Sequence, residues 1–218
     1  MAHILLTSGP THQHLDPVRY LTNASSGRMG TALASAALAL GHQVTIVSGP
    51  VDVAYPAAAK VIPVVSTEEM LAACQEAFTD CDGLIGAAAP CDYRPVQVAT
   101  GKIAKTGQPL ELHLIETADI VATLGAAKKD QWVVGFALET DDQRFRAITK
   151  AEKKSCDLIV LNGPQAMHAT DNDVEILTPA GDVVATFAGK KEQVAVGILG
   201  VIQARLISPP NSSPSGRV

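Results

Sequence analysis

Small and polar residues cluster in the segment YLTNASSGRMG, directly before a helical pattern; they are Asn23, Ser25, Ser26 and Gly27. The first backbone N–H groups of a helix have no partner inside the helix, and the helix dipole favours negative charge there. Such a segment can therefore hold an anion. Capping of the helix is the alternative role for Asn23. A cap needs one polar residue and this segment has three, so the excess favours a ligand site.

Two further segments carry residue types suited to a nucleotide. AAAPCDYRP, followed closely by GKIAKTG, contains Asp92, which could orient a ribose or a base, and Lys102, which could bind phosphates. The stretch GFALET precedes a helical pattern in which Lys150 and Lys154 are four residues apart and share one face. Ordinary solvated surface lysines are the alternative for both segments.

Several common catalytic motifs are absent from the sequence. It has no P-loop, no H-E-x-x-H and no G-x-S-x-G. None of the tyrosines has a lysine four residues on, which excludes a Tyr-x-x-x-Lys dehydrogenase pair. The cysteines at 74, 81, 91 and 156 lack zinc-site spacing, so we interpret them as thiols in a reducing compartment.

The bulk composition restricts the partners. The net charge of −5 provides no basic field for nucleic acid or for an anionic membrane. The apolar runs are too short for a signal peptide or a membrane span, so we expect a cytoplasmic protein. A chain of 218 residues that is 47% apolar can bury a substantial core.

Apolar runs alternate with helical patterns, which predicts a single α/β domain with a doubly wound, mostly parallel, Rossmann-like sheet. Strands are predicted at 3–7, 42–50, 60–65, 82–89, 132–138 and 157–162, an exposed edge strand at 110–116, and an antiparallel hairpin at one sheet edge over 174–187. Helices are predicted at 26–40, 66–78, 118–128, 142–154 and 190–206. We expect one domain over 1–206 and a disordered tail over 207–218.

In such a sheet, ligands bind beyond the carboxyl ends of the strands. Taken together, the segments at those ends resemble the phosphopantothenate–cysteine ligase family, from residue 4 to about residue 202. The motifs that carry the resemblance are TSGPTHQHLDPVRYLTNASSGRMG, VTIVSGP, AAAPCDYRP with KIAK, VVGFALET, DLIVLN and GKKEQVA. In many bacteria this module follows a flavin-dependent decarboxylase, and we expect the stand-alone form here.

The resemblance implies a ligase of coenzyme A biosynthesis. The carboxylate of 4′-phosphopantothenate would be activated as an acyl-nucleotide with release of pyrophosphate, and the amine of L-cysteine would then displace the nucleotide. CTP is the expected nucleotide, with ATP possible, and Mg²⁺ would accompany the triphosphate through phosphate oxygens and water rather than a protein metal site. The resemblance also implies a homodimer, with the 110–116 strand as a natural pairing edge.

The resemblance assigns roles to individual residues. Asn23 would lie at the activated carboxyl, and Lys102 would close a mobile flap over the triphosphate. The expected nucleotide-binding residues are Gly9, Ser25, Ser26, Gly27, Asp92, Ala118, Phe136, Lys150 and Lys154. The expected substrate-binding residues are Asn23, Ala88, Ala89 and Lys102.

This chain departs from the family pattern at Pro90 and Cys91, at Ala104 and at Gly163.

Two other functions remain open on the same fold. One is an NAD(P)-dependent reductase, which would need a glycine fingerprint directly after the first strand and an acidic residue at the end of the second. The other is a nucleotide-binding regulator without turnover.

Overall fold

A computed structural model of the chain describes residues 1–138, 141–162 and 171–208. The main sheet has eight strands in the order β12-β11-β10-β9-β6-β1-β4-β5. Its strands are β1 His3–Ser8, β4 Gln43–Ser48, β5 Lys60–Pro63, β6 Gly83–Gly86, β9 Trp132–Leu138, β10 Leu158–Asn162, β11 Asp171–Leu177 and β12 Val183–Lys190. The first six are parallel, and β11 and β12 run antiparallel at one edge.

The predicted fold class is confirmed. Numbered along the chain, the six parallel strands have the order 3-2-1-4-5-6 of a doubly wound sheet. The strand order reverses between β1 and β6, and a crevice is expected there at the carboxyl ends. The hairpin is longer than predicted, because pairing continues past both predicted ends.

Helices cover both faces of the sheet. They are α1 Arg28–Ala39, α2 Thr67–Phe78, α3 Ile120–Ala127, α4 Gln143–Lys153 and α5 Lys191–Ile202. Alternate residues of a strand point to opposite faces, so Ile4 and Leu6 of β1 join the core beneath α1 and α5. Leu5, between them, joins the core beneath α2, α3 and α4.

Most helix ends lie within two residues of the predictions, and two of the differences change the interpretation. The capping box at Ser66 and Glu69 is confirmed, since each side chain bonds the other's backbone. Helix α1, however, begins at Arg28, and its cap position is Gly27 in a left-handed conformation. The interpretation of Asn23 as a helix cap is therefore wrong. At the C-terminal end, α5 stops at Ile202 and the chain continues as a π-helical turn over Gln203–Ile207.

Two small hairpins lie outside the main sheet. One pairs β2 His12–His14 with β3 Tyr20–Thr22, and the other pairs β7 Tyr93–Pro95 with β8 Leu114–Glu116. The strand predicted at 110–116 is thus shorter than expected, and it pairs with β7 rather than with the main sheet. Gly163, residues 139–140 and the tail from 209 onward lie outside the described residues.

Within the described part of the chain, no helix combines the length and apolarity needed to cross a membrane.

Candidate active site

A cleft of about 310 Å³ opens at the carboxyl ends of β6 and β9, beside β1. Its floor includes Thr7 and Gly86, and Phe136 of β9 forms part of one wall. The other walls are the loop Pro90–Tyr93, the segment Glu116–Val121, and Lys153 and Lys154 at the C-terminal end of α4. The cleft lies beside the point where the strand order reverses, where a doubly wound sheet binds its ligands.

The cleft brings together several of the predicted site residues. Those that line it are Ala88, Asp92, Ala118, Phe136 and Lys154. Those that do not line it are Gly9, Asn23, Ser25, Ser26, Gly27, Ala89, Lys102 and Lys150. The predicted residues from the second half of the chain are thus mostly assembled, whereas the loop before α1 lies beside the cleft rather than in its lining.

An ion pair crosses the cleft. Lys154 Nζ lies 3.0 Å from Asp119 Oδ2, and the side chain of Lys154 is 22% exposed. The other carboxylate oxygen of Asp119 accepts the backbone N–H of Ala122 and so caps α3. A Cβ on Gly125 would lie 2.0 Å from the carbonyl oxygen of Lys154, so only glycine lets α3 approach the end of α4 this closely. This approach brings the backbone of Lys154 next to α3, within reach of Asp119 at its N-terminus.

Asn23 fastens its loop to the cleft wall. Its side-chain amide donates to the carbonyl oxygen of Pro90 at 2.8 Å and, more weakly, to that of Ala89 at 3.3 Å. Pro90 lines the cleft, so Asn23 stands at its rim. The side chain is exposed, and its Oδ1 atom accepts no hydrogen bond from the described residues. The Oδ1 atom is thus free where the loop meets the cleft, and the amide group can reach a ligand by exchanging its weaker contact with Ala89.

The two glycines at this rim approach the same side chain. Gly9 and Gly27 have φ angles of 75° and 73°, in the left-handed region that favours glycine. A Cβ on either would come within 2.8 Å of Val51 Cγ1. Ser25 donates its backbone N–H to the carbonyl oxygen of Asn23 at 2.8 Å. The predicted binding roles of Gly9, Ser25, Ser26 and Gly27 stay predictions.

The segment that carries Lys102 is attached at its base to the connection between β2 and β3. Ile103 donates its N–H to Asp16 Oδ2 at 3.0 Å, and its carbonyl oxygen accepts Arg19 Nη2 at 2.7 Å. Asp16 is fully buried. Hydrogen bonds from the Arg19 guanidinium, and then from backbone N–H groups including that of Ile103, hold the pKa of this carboxyl well below its usual range. Lys102 itself is exposed.

The family model for the DNA/pantothenate metabolism flavoprotein C-terminal domain matches residues 1–206. The chain belongs to this family. It is 40% identical over 207 residues to a coenzyme A biosynthesis bifunctional protein CoaBC from Vibrio vulnificus, covering 92% of this chain and 51% of that protein. It is 41% identical over 204 residues to a cysteine/cysteine sulfinic acid decarboxylase from an unknown prokaryotic organism, covering 90% of this chain and 56% of that protein.

A solved structure agrees with these matches. The crystal structure of the C-terminal domain of a CoaBC protein has a TM-score of 0.79 and 34% identity, and the match covers 95% of this chain and 96% of that domain. The chain spans about half the length of the two curated relatives above. The flavoprotein C-terminal domain family therefore accounts for the fold and for nearly all of the described chain.

Sequence reasoning missed some residues of the cleft. Asp119 was not predicted, although an Asp directly before the apolar run IVATL is a helix-start signal. Thr117 was also missed, and no local pattern marks it. Its hydroxyl donates to the carbonyl oxygen of Cys91 at 2.7 Å, a contact between residues 26 positions apart.

Proposed function

We propose that this chain joins 4′-phosphopantothenate and L-cysteine to form 4′-phosphopantothenoyl-L-cysteine, with an acyl-nucleotide intermediate and pyrophosphate release. The observation that carries the proposal is the hydrogen bond from Asn23 to Pro90, because it joins the loop expected at the reacting carboxyl to the wall of the nucleotide cleft. Membership of the flavoprotein C-terminal domain family supports it, as does the match to the isolated C-terminal domain of CoaBC.

The reaction needs two displacements at neighbouring positions. A carboxylate oxygen of phosphopantothenate attacks the α-phosphorus, and the bond from phosphorus to the bridging oxygen breaks, which releases pyrophosphate. The cysteine nitrogen then attacks the carbonyl carbon, the bond from carbon to the phosphate oxygen breaks, and the amine proton passes to solvent. Binding both reactants in one orientation supplies most of what a protein can add to such a transfer.

The cleft supplies charge and shape for the nucleotide. The Lys154 ammonium can exchange its contact with Asp119 for an anionic or carbonyl oxygen of the ligand, because the carboxylate of Asp119 is 45% exposed and regains water. Phe136, half-buried in the wall, offers an apolar surface to a base. We propose CTP as the nucleotide in preference to ATP, and Lys102 as the group that closes over the triphosphate.

Magnesium fits this cleft as a companion of the triphosphate. Mg²⁺ would be held mainly by phosphate oxygens and water, so the cleft needs no protein metal site. The ion would neutralise phosphate charge during transfer. Asp92, exposed in the cleft lining, would contact the nucleotide itself, while Asn23 would stay beside the acyl group.

A homodimer is proposed from the β7–β8 hairpin. Leu114 and Ile115 of β8 are each 40% exposed, and Val96, directly after β7, is 58% exposed. In the described part of the chain this hairpin is a two-stranded sheet, so each strand keeps an edge that a second copy can pair with. Sedimentation at micromolar concentration tests this, and a purely monomeric result would contradict it.

We place the enzyme in the cytoplasm, where its four buried cysteines would remain reduced thiols.

The deciding assay combines the purified chain with phosphopantothenate, cysteine and Mg²⁺, and with CTP or ATP in parallel. Pyrophosphate release is measured by a coupled enzyme, and the amide product by mass spectrometry. Release that requires phosphopantothenate, with the amide formed only when cysteine is added, is the expected result. CTP binding without release would favour a regulator, NADPH binding a reductase, and CO₂ release from cysteine without nucleotide a decarboxylase.

A further inference from the structure

The backbone of Cys91 is held by two buried threonines from distant parts of the chain. The Cys91 N–H donates to Thr11 Oγ1 at 2.8 Å, and the Cys91 carbonyl oxygen accepts Thr67 Oγ1 at 3.2 Å. The two hydroxyl oxygens lie 2.8 Å apart. Thr11 follows β1, and Thr67 is the first residue of α2. Their exposures are 0% and 1%, so water does not compete for these bonds.

The number of protons on each hydroxyl determines which atom donates in the hydrogen bonds among Thr11, Thr67 and the Cys91 peptide. A hydroxyl has one proton to donate. Thr67 gives its proton to the Cys91 carbonyl, so Thr11 must be the donor in the contact between the two hydroxyls. The hydrogen bonds then run in a closed ring from Cys91 N–H to Thr11, to Thr67, and back to the Cys91 carbonyl. We call this group the threonine ring. Each hydroxyl of the ring donates once and accepts once, and the Cys91 carbonyl oxygen also accepts the Thr117 hydroxyl from outside the ring. These bonds together fix one orientation of the Cys91 peptide.

The threonine ring connects the two sides of the candidate active site. The Thr11 carbonyl oxygen accepts the hydroxyl of Thr22 at 2.9 Å, and the next residue is Asn23. On the other side, Cys91 lies between Pro90, which Asn23 contacts, and Asp92 in the cleft. One buried residue thus contacts both the loop expected at the acyl group and the loop expected at the nucleotide.

We propose that Thr11 is a positioning residue that fixes Asn23 and the Pro90–Asp92 loop relative to each other. Its hydroxyl accepts the Cys91 N–H and so orients that peptide. Its carbonyl oxygen accepts the Thr22 hydroxyl and so holds the last residue of β3. The inference deepens the ligase proposal and depends on it for its effect on turnover. The placement of the Cys91 peptide is a separate physical consequence and can be measured without any substrate.

The kinetic test compares Thr11→Val, which keeps the shape and removes the hydroxyl, with Thr11→Ser, which restores it. Thr149→Val is the matched control, because among the described residues this exposed hydroxyl bonds only the carbonyl of Phe145, within its own helix. We expect Thr11→Val to lower kcat/KM for ligation about tenfold or more, and Thr11→Ser to return it to within about threefold of the wild type. A merely structural role would lower Tm and leave kcat and KM of the folded protein unchanged.

The second measurement is the rate at which Cys91 reacts with a chromogenic aromatic disulfide in the folded protein. The Cys91 side chain is 5% exposed, so its reaction in the wild type should be slow. Thr11→Val should accelerate labelling of one thiol by about tenfold, and Cys91→Ala in the same background should abolish that fast phase. Thr149→Val should label at the wild-type rate.

The kinetic and thiol-labelling measurements test the ligase proposal and the positioning role of Thr11 separately. If the wild type has no ligase activity but Thr11→Val exposes Cys91, the ligase proposal fails and the positioning role stands. If Thr11→Val leaves labelling and kcat/KM at wild-type values, the positioning role is overturned. Should Thr11→Val not fold, Thr67→Val replaces it, since it removes the hydroxyl that contacts Thr11 and so opens the same ring outside the cleft lining. Unchanged labelling and turnover in that variant would also overturn the inference.

Discussion

Replacing Asn23 by alanine removes the amide that joins the loop before α1 to the cleft wall. Two carbonyl oxygens, those of Pro90 and Ala89, lose their donor at 2.8 and 3.3 Å. Both residues are only half-buried, so we expect water to replace the amide. The loss of stability should therefore be small, and the effect should fall on the reaction instead.

The structure allows both effects to be given a size. A neutral hydrogen bond contributes about 0.5–1.5 kcal/mol, and the exposure of Asn23 sets the expected loss of unfolding free energy near the lower end. For a chain of this size, that corresponds to a decrease in Tm of roughly 1–3 °C. Removing one preorganised donor from a reacting centre costs about 2.7–4 kcal/mol of transition-state stabilisation. We therefore expect kcat to fall about 10²- to 10³-fold.

The assay measures pyrophosphate release and amide formation separately in single turnovers, with Tm measured on the same samples. Asn23→Asp is the informative companion variant, because a carboxylate would face the same two carbonyl oxygens and repel them. It should be at least as impaired as Asn23→Ala. Gln75→Ala removes an exposed amide of α2 outside the cleft lining and serves as the control. Turnover of Asn23→Ala within about threefold of the wild type would refute the assigned role.

Three other perturbations test the cleft and its supports. Lys154→Gln should raise the KM for CTP about tenfold with little change in kcat, and an unchanged KM in steady-state kinetics would exclude the contact. Gly125→Ala should lower the free energy of unfolding by about 1–3 kcal/mol, because its Cβ meets a carbonyl oxygen at 2.0 Å. Gly200→Ala, with open space around it, should be neutral or stabilising. Equal urea midpoints for the Gly125→Ala and Gly200→Ala variants would contradict this reasoning. Asp16 has a lowered pKa, caused first by its hydrogen bond with Arg19, so its ionised form stabilises the fold. This contribution is complete above about pH 4, the ordinary pKa of an aspartate, and is lost as the pH falls below it. Asp16→Asn should therefore flatten the acid limb of the curve of unfolding free energy against pH, measured by urea titration.

The main sheet could be predicted from the sequence because its signals are local. Runs such as WVVGFAL and DLIVLN are apolar on both faces, which is typical of a buried parallel strand. The Ser66 capping box marks the start of α2 within four residues. Each of these patterns lies inside one element, so no knowledge of the neighbouring elements was needed.

The candidate site could be predicted only in part because its contacts are long-range. Asn23 looks like a helix cap from its neighbours, yet its partner is Pro90, 67 residues away. Thr11 and Cys91 are 80 residues apart, and neither has a neighbouring pattern that indicates the hydrogen bond. The specific roles of Lys102 and Asn23 come from the family resemblance, and their placement in the structure leaves both roles as proposals.

The threonine ring has a further consequence for the pH dependence of the proposed reaction. Its members are hydroxyls and a peptide group, which do not titrate between about pH 6 and 9, whereas amines and carboxylates near the reactants can. The placement of the Pro90–Asp92 loop should thus be the same across this range. We expect Thr11→Val to lower kcat/KM by the same factor at every pH, so that the profile shifts down without changing shape. A defect that disappears at one end of the range would mean that a titrating group, and not the threonine ring, positions the loop.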